Sequence, residues 1–110
     1  MISIKIYRNN QNQICEFNIS GHANAEAHGK DIVCAAVSVL GQTTILGLYE
    51  VLEIKATYKI DNGYLQCSIP DDLTEKQRYD VNILLETMVV GLKNIKAGYY
   101  EYIDIHDKEV

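Results

Sequence analysis

One long apolar segment limits the folds open to this chain of 110 residues. After Asp31, a good helix N-cap, the sequence runs IVCAAVSVLGQTTILGLYEVL, which is apolar on nearly every face of a helix. A helix with no polar side is buried, so this segment predicts a helix through the middle of the fold. Gly41 and Gly47 would let another element pack close to it.

Four shorter segments alternate between apolar and polar residues, as half-buried strands do. They form two pairs, and each pair is separated by a polar or turn-forming stretch, which predicts two β-hairpins. The turn of the second hairpin is Asp61-Asn62-Gly63. The residues predicted to face inward are Ile2, Ile4 and Ile6 with Cys15, Phe17 and Ile19, and then Ala56, Tyr58 and Ile60 with Leu65, Cys67 and Ile69.

A second helix is predicted after Pro70, where Asp72 and Glu75 have the spacing of a capping box. Its apolar stripe at helical period ends near Gly98 and consists of Val81, Leu84, Leu85, Met88, Leu92 and Ile95. The tail YYEYIDI predicts a last strand. The sequence therefore predicts one α+β domain over residues 1–110, in the order β-β-α-β-β-α-β, with two helices packed on a mostly antiparallel sheet.

The formal charge of −5 and a pI near 5.0 argue against direct binding of nucleic acid, which needs clustered Lys and Arg, and suit a basic protein partner better. The N-terminal residues MISIKIYRNN contain no continuous apolar stretch of signal-peptide length, so we expect a cytoplasmic protein without membrane insertion. Three cysteines without CxxC spacing are typical of reduced thiols rather than of disulfides or a zinc knuckle.

In the segment SGHANAEAHGKD the apolar residues recur neither every second residue, as in a strand, nor every 3.6 residues, as in a helix. The segment therefore predicts an irregular loop before the first helix. With Asp31 as N-cap, Cys34 is the third helical residue, where free backbone N–H groups and the helix dipole stabilise a thiolate. His22 lies on the loop that leads into this helix, and the loop is long enough to fold back onto the sulfur. A Cys–His pair is the minimum unit for nucleophilic acyl transfer.

A structural role competes with each of these assignments. A lone cysteine on an apolar helix is commonly a small buried hydrophobic residue, which remains open for Cys34. Cys15 and Cys67 are predicted to pack inside the fold. His22, His28 and Cys34 provide only three ligands with no common zinc spacing, so no metal is expected. For His28 a solvated loop position is predicted, and His106 has no assigned partner.

Two more polar residues near Cys34 have two possible roles each. Asp31 can cap the helix or orient the histidine, and capping is favoured because a carboxylate near the sulfur opposes thiolate formation. Ser38 lies one turn beyond Cys34 on the same face, and can hydrogen-bond within the site or to the helix carbonyls. For the tail tyrosines Tyr99, Tyr100 and Tyr102, packing within the last strand is favoured over a substrate platform.

These residues also carry a family resemblance. The motif GHA, followed by GKDIVCAAVS with its cysteine twelve residues after the histidine, resembles the signature of the ribosomal-processing cysteine proteases (Prp-type), and the resemblance extends over the whole chain. It implies an endopeptidase that removes the N-terminal extension of a large-subunit ribosomal protein, number twenty-seven, in ribosome maturation. It also implies a homodimer, a basic ribosomal substrate and no cofactor.

The same resemblance assigns roles to individual residues. Cys34 would be the nucleophile and His22 the general base and proton donor, with Asp31 and Ser38 close to the site. The loop that contains Gly21, Ala23 and Gly29 would order over the substrate. A non-catalytic ribosome-associated binding module, with Cys34 as packing, remains the alternative, and an acyltransferase would need a cofactor pocket that the sequence does not show. Rapid alkylation of Cys34 at neutral pH would distinguish a catalytic thiol from a packed one.

Overall fold

The computed structural model describes the backbone of residues 1–21 and 30–109, and the side chains of residues 1–21 and 32–107. Its elements are strands β1 (Ile2–Arg8) and β2 (Ile14–Ser20), helix α1 (Lys30–Leu46), strands β3 (Thr57–Asp61) and β4 (Tyr64–Ser68), helix α2 (Glu75–Gly98) and strand β5 (Ile103–Glu109). A π-helical turn, Gly47–Val51, continues α1. The predicted order of strands and helices is confirmed.

The five strands form one sheet in the order β3-β4-β2-β1-β5. Three of the four pairings are antiparallel, and β5 runs parallel to β1. The sheet is therefore mostly antiparallel, as predicted. The second hairpin turns through Asn62 and Gly63, where Gly63 has φ +71, so the predicted turn is confirmed as well.

Both helices cover the same face of the sheet. This face carries the apolar members of each strand, which are almost completely buried, whereas the opposite face carries half-buried polar residues. Helix α1 approaches the sheet closely at Gly41, where a Cβ atom would lie 2.9 Å from the Ile19 side chain. The core residues contributed by the strands include Ile2, Ile4, Ile6, Ile14, Phe17, Ile19, Leu65, Cys67 and Ile103.

The prediction that the first helix runs through the middle of the fold is wrong. Helix α1 lies on the sheet with Val33 and Val37 buried, while the opposite side of the helix is open to solvent. Ile32, Val39 and Leu46 on that side are 64%, 61% and 55% exposed. By length and composition alone the segment Ile32–Val51 could cross a membrane, a property that it shares with core helices of soluble proteins.

Helix α2 is capped at its N-terminus by residues other than the predicted ones. The capping box is formed by Thr74 and Gln77 rather than by Asp72 and Glu75, because the Thr74 side chain accepts from Gln77 N and the Gln77 side chain accepts from Thr74 N. The helix ends at Gly98, as predicted. Most of the predicted stripe is buried, and Leu84 and Ile95 pack against the core from a partly buried position.

Two further predictions about packing need correction. Tyr99, Tyr100 and Tyr102 precede β5 in a turn rather than lying within the strand, and Tyr100 is 69% exposed. Tyr58 and Ile60 do point to the helix-covered face but remain about half exposed, because β3 is an edge strand that lies beyond the cover of α1.

A buried arginine joins β1, α2 and β5 at one end of the sheet. Arg8 is 7% exposed, and its guanidinium makes bidentate pairs with both Asp107 (2.7 and 3.1 Å) and Glu86 (2.6 and 2.9 Å). The fifth donor goes to the carbonyl oxygen of Asn12, so every N–H of the side chain is used. Hydrogen bonds to Glu86 and then Asp107 raise the pKa of Arg8 above its usual value, which keeps it charged.

We expect Arg8→Met to lower the free energy of unfolding by about 1–3 kcal/mol, because it leaves two carboxylates facing each other without a cation. The cost is below that of a fully buried pair, since Glu86 is 46% exposed and water screens it. Urea denaturation measures the difference. Glu86→Gln is the matched control and should cost less, because Asp107 still pairs with Arg8; equal losses in the two variants would contradict this account.

Cys67 gives a pH-dependent prediction. Burial in the core, with the nearby Glu16 carboxylate as a smaller cause, raises the pKa of its thiol from 9.0 to about 12. The folded state therefore favours the neutral thiol, and this contribution is present below pH 9 and is lost as the pH rises toward 12. Stability curves should show that Cys67→Ala loses less free energy of unfolding than the wild type over that interval. Parallel curves for the two proteins would be inconsistent with a raised pKa.

Candidate functional site

Cys34 lies on the side of α1 that faces the β3–β4 hairpin. The cysteine is partly buried and packs against the core, next to the buried residues Val33 and Val37 of the same helix. Helix α1 is described from Lys30 onward, so Cys34 lies at least four residues into the helix, beyond its first turn. The expected position in the first turn, among the free N–H groups, is therefore wrong.

The helix start also changes the interpretation of Asp31. This residue lies inside the first turn of α1, so its predicted role as N-cap is wrong. An N-cap needs a non-helical backbone, which a residue within the helix does not have. The side chain of Asp31 lies outside the described residues, and its role in orienting a histidine remains a prediction.

Gly21 holds three parts of the chain together at the edge of the site. Its φ of +96 is accessible to glycine, and a Cβ atom there would lie 2.5 Å from the carbonyl oxygen of Met1. Its backbone N–H donates to the carbonyl oxygen of Gly63 at 3.0 Å. The end of β2, the start of β1 and the tip of the β3–β4 hairpin therefore meet at this glycine.

A cavity of about 210 Å³ opens beside Cys34. One wall is α1, the floor is the sheet, and the other wall is the hairpin tip, whose turn is linked to Gly21. Apolar side chains form much of the lining, and the polar side chains of α1 enter from one side. The lining residues are Ile2, Ile19, Gly21, Cys34, Val37, Ser38, Gln42 and residues 60–65.

Ser38 and Gln42 extend the side of α1 that begins with Cys34. Spacings of four residues place all three on one face of the helix. The Gln42 Nε2 atom donates to Ser38 Oγ at 2.9 Å, and both side chains line the cavity. Ser38 therefore has a side-chain partner within the site, one of the two roles that its position allowed.

The predicted partners of Cys34 on the preceding loop are outside the described residues. This applies to His22, Ala23, His28 and Gly29, and so to the proposed Cys–His pair and to the three-ligand metal alternative. Among the side chains that the structure describes, no group of three or more His, Cys, Asp or Glu residues is arranged to hold a metal ion.

The other predicted residues are distributed away from this cavity. Cys67 is completely buried, as predicted. Cys15 lies at a register shift between β1 and β2, partly buried, with its thiol donating to the Tyr7 carbonyl oxygen at 3.4 Å. His106 pairs with Asp104, with 2.9 Å between Nε2 and Oδ2, on the half-exposed polar face of the sheet.

Gln42 and the hairpin tip line the cavity but were not among the residues predicted for the site. The four-residue spacing from Cys34 through Ser38 was a signal that could have identified Gln42. The Asn-Gly turn was predicted as a turn, but its position against Gly21 depends on strand order. No local pattern in the sequence reveals that β4 pairs with β2.

Comparison with known proteins agrees with the fold and identifies the family. The family model described as Cysteine protease Prp matches residues 1–104. The ribosomal processing cysteine protease Prp of Bacillus subtilis (strain 168) is 31% identical over 107 residues, covering 96% of each protein. The protein of the same name from Staphylococcus aureus (strain Mu50) is 27% identical over 111 residues, covering 98% of this chain and all of that protein.

Solved structures share the whole architecture. The ribosomal processing protease Prp from S. aureus in complex with a substrate peptide superimposes with a TM-score of 0.86 at 24% identity, covering 98% of this chain and all of that one. SMU.848 from Streptococcus mutans gives a TM-score of 0.86 at 25% identity and covers 100% of this chain and 96% of that one. With a family match over nearly its full length, the chain belongs to the cysteine protease Prp family.

Proposed function

We propose that this chain is a cysteine endopeptidase that removes the N-terminal extension of large-subunit ribosomal protein number twenty-seven, with Cys34 as nucleophile and His22 as base. The observation that carries the proposal is the cavity beside Cys34, which admits a substrate side chain or backbone to the one partly exposed cysteine of α1. Relatives over nearly the whole chain are named ribosomal processing cysteine proteases, which supports the same substrate class.

The proposed reaction proceeds in two steps. His22 accepts the thiol proton, and the Cys34 sulfur attacks the carbonyl carbon of the scissile bond to give a tetrahedral intermediate. Collapse of the intermediate expels the new amine, which takes its proton from His22, and leaves a thioester on Cys34. Water, activated by His22, then hydrolyses the thioester, releases the carboxylate product and returns the proton to sulfur.

The position of His22 next to Gly21 in the sequence supports His22 rather than His28 as the base. His22 directly follows Gly21, whose backbone is tied to Gly63 and packed against Met1 at the rim of the cavity. A residue bonded to such a fixed point starts from a defined position, which general-base catalysis needs. His28 is six residues further along the chain, and the fixed point at Gly21 constrains its position less directly.

The charge balance supports a basic substrate. The chain carries 15 Asp and Glu against 10 Lys and Arg, and opposite net charges favour association between two proteins. We also propose that the protein acts in the cytoplasm, where ribosomes assemble. Its three cysteines are free thiols in the structure, which suits a reducing compartment.

Cys34→Ala and Cys34→Ser should both abolish cleavage of the extended ribosomal protein, and His22→Ala should lower kcat/KM by about a hundredfold or more. His28→Ala should change kcat/KM by less than about tenfold. Mass spectrometry of the purified extended protein after incubation with each variant locates the cleavage and gives its rate.

Cys15→Ala and Cys67→Ala are the matched controls, because both remove a thiol that lies away from the cavity. They should keep turnover and lose only stability. Similar activity losses in all three cysteine variants would overturn the assignment of Cys34, and a larger effect of His28→Ala than of His22→Ala would move the base to His28. Binding of the ribosomal protein without cleavage by the wild type would favour the alternative of a non-catalytic binding module.

We further propose that the protein is a homodimer joined through the outer side of its two helices. The helices lie side by side and antiparallel, since Gly47 adjoins Leu84 and Gly91 adjoins Leu40. Their outer side exposes apolar residues at seven-residue spacing on each helix, a pattern typical of helix surfaces that pack against a partner. The residues are Ile32, Val39 and Leu46 on α1, with Ile83 and Val90 on α2.

The double variant Val39→Lys/Leu46→Lys should be a monomer, because two cations per subunit would be buried without partners in the interface. Analytical ultracentrifugation at micromolar concentration should show the wild type at about twice 12.4 kDa. Tyr100→Lys, at an equally exposed position before β5, is the control and should leave the dimer intact. A wild type that sediments as a monomer would refute the proposal.

A further inference from the structure

The helix-covered face of the sheet leaves two large apolar side chains open to solvent. Tyr58 pairs with Cys67 and Ile60 pairs with Leu65, and residues directly opposite on paired strands share a face. Cys67 and Leu65 are buried core residues, yet Tyr58 and Ile60 are 49% and 47% exposed. A large apolar residue that is exposed on the core-forming face of a sheet indicates a binding surface more strongly than the same residue on an outer surface does.

These two side chains continue the cavity beside Cys34. Ile60 lines the cavity, and Tyr58 is the next residue on the same face of β3. The wall opposite the hairpin is the side of α1 that carries Cys34, Ser38 and Gln42. We call this strip the β3 groove: its floor is Tyr58 and Ile60, and its wall is Cys34, Ser38 and Gln42.

A second tyrosine fixes the far end of the β3 groove. Tyr49 lies in the π-helical turn after α1, and its hydroxyl donates to the carbonyl oxygen of Ala56 just before β3. Its ring packs edge-on against Tyr58, with centroids 5.6 Å apart and planes at 81°. An aromatic side chain held on one side by another ring, and half exposed on the other, is a prearranged contact surface.

The groove has the length and the chemistry for a peptide. Fifteen residues of helix separate Cys34 from Tyr49, about 22 Å at the rise of an α-helix. An extended chain covers that distance with about six or seven residues. None of the five residues of its floor and wall carries a formal charge, whereas the protein as a whole is acidic.

We propose that the β3 groove binds an extended, uncharged segment of the peptide substrate on one side of the scissile bond, and that Tyr58 and Ile60 determine specificity by contacting an apolar side chain of that segment. Tyr49 acts as a positioning residue through the Tyr58 ring. The proposal rests on the proposed function, because it requires that Cys34 attack the same peptide. Ser38 and Gln42 face the bound backbone from the opposite wall with polar groups.

The test uses two synthetic peptides from the ribosomal protein extension of the same organism, one with eight residues on each side of the cleavage point and one with two. Tyr58→Ser should lower kcat/KM for the long peptide by about tenfold or more, and for the short peptide by less than about twofold. Ile60→Ser should also lower kcat/KM for the long peptide by about tenfold or more. Tyr58→Phe should resemble the wild type, because the proposed contact belongs to the ring.

Lys59→Ser is the matched control, since Lys59 lies between the two residues and pairs with Gln66 on the opposite face of the sheet. Melting temperatures of all variants separate a binding defect from unfolding. The groove is not a substrate subsite if Lys59→Ser lowers kcat/KM for the long peptide as much as Tyr58→Ser does. The same conclusion follows if Tyr58→Ser lowers kcat/KM equally for the two peptides. The proposed function would survive that result as long as the wild type cleaves and Cys34→Ala does not.

A binding measurement tests the β3 groove independently of the proposed protease function. The long peptide, labelled with a fluorophore, is titrated with the inactive Cys34→Ala protein to measure its Kd. The double variant Cys34→Ala/Tyr58→Ser should bind the peptide with a Kd about tenfold higher or more, whereas Cys34→Ala/Lys59→Ser should leave the Kd unchanged. An unchanged Kd in the Tyr58→Ser background would overturn the β3 groove even where cleavage is normal. Peptide binding that depends on Tyr58 in a wild type that cannot cleave would overturn the protease assignment, and with it the role of the groove as a substrate subsite, and would leave only a peptide-binding surface.

Discussion

The difference in width between the sheet and its helical cover is the constraint on which the site depends. Five strands at about 4.8 Å spacing make a wider layer than two helices packed about 8–10 Å apart can cover. The uncovered part is the β3 edge, because α1 approaches the sheet at Ile19 and Leu65, on β2 and β4. The side of α1 that carries Cys34 therefore borders an open strip of core-facing sheet rather than another helix.

The two ends of β1 have different physical roles. At its first residues Ile2 forms part of the cavity and Met1 packs against Gly21, so this end contributes backbone and apolar surface to the site. At its last residue Arg8 joins α2 and β5 through two bidentate ion pairs. Seven residues of strand separate the two ends by about 20 Å, so the charged cluster can stabilise the fold without placing a strong field beside the thiol.

The distribution of apolar surface distinguishes two kinds of contact. The outer side of the helices exposes aliphatic side chains at regular spacing, which suits a symmetric partner that presents the same pattern. The β3 groove combines an aromatic and aliphatic floor with a polar wall and adjoins the cavity, which suits a single extended chain. The two surfaces face different directions, so the proposed dimer would leave the β3 groove open to the proposed substrate.

Local patterns in the sequence determined much of this protein. Alternating Ile, Phe and Leu residues predicted the strands, the Asn-Gly pair predicted the hairpin turn, and the motif around Cys34 predicted the family, because each depends on neighbours within a few residues. The sequence also predicted that Cys67 is buried. The sequence did not decide which residue caps the second helix. Asp72 and Thr74 both precede it, and each is followed three residues later by a side chain, Glu75 or Gln77, that can complete a capping box.

Tertiary structure decided what depends on distant contacts. An apolar segment such as Ile32–Val51 predicts burial, but only the sheet order shows that one side faces the core and the other faces solvent. The position of β3 at an edge exposes Tyr58, although its strand pattern is that of an inward residue. The pairing of β4 with β2 brings Gly63 to Gly21 and completes the cavity, and this contact spans 42 residues that no periodicity relates.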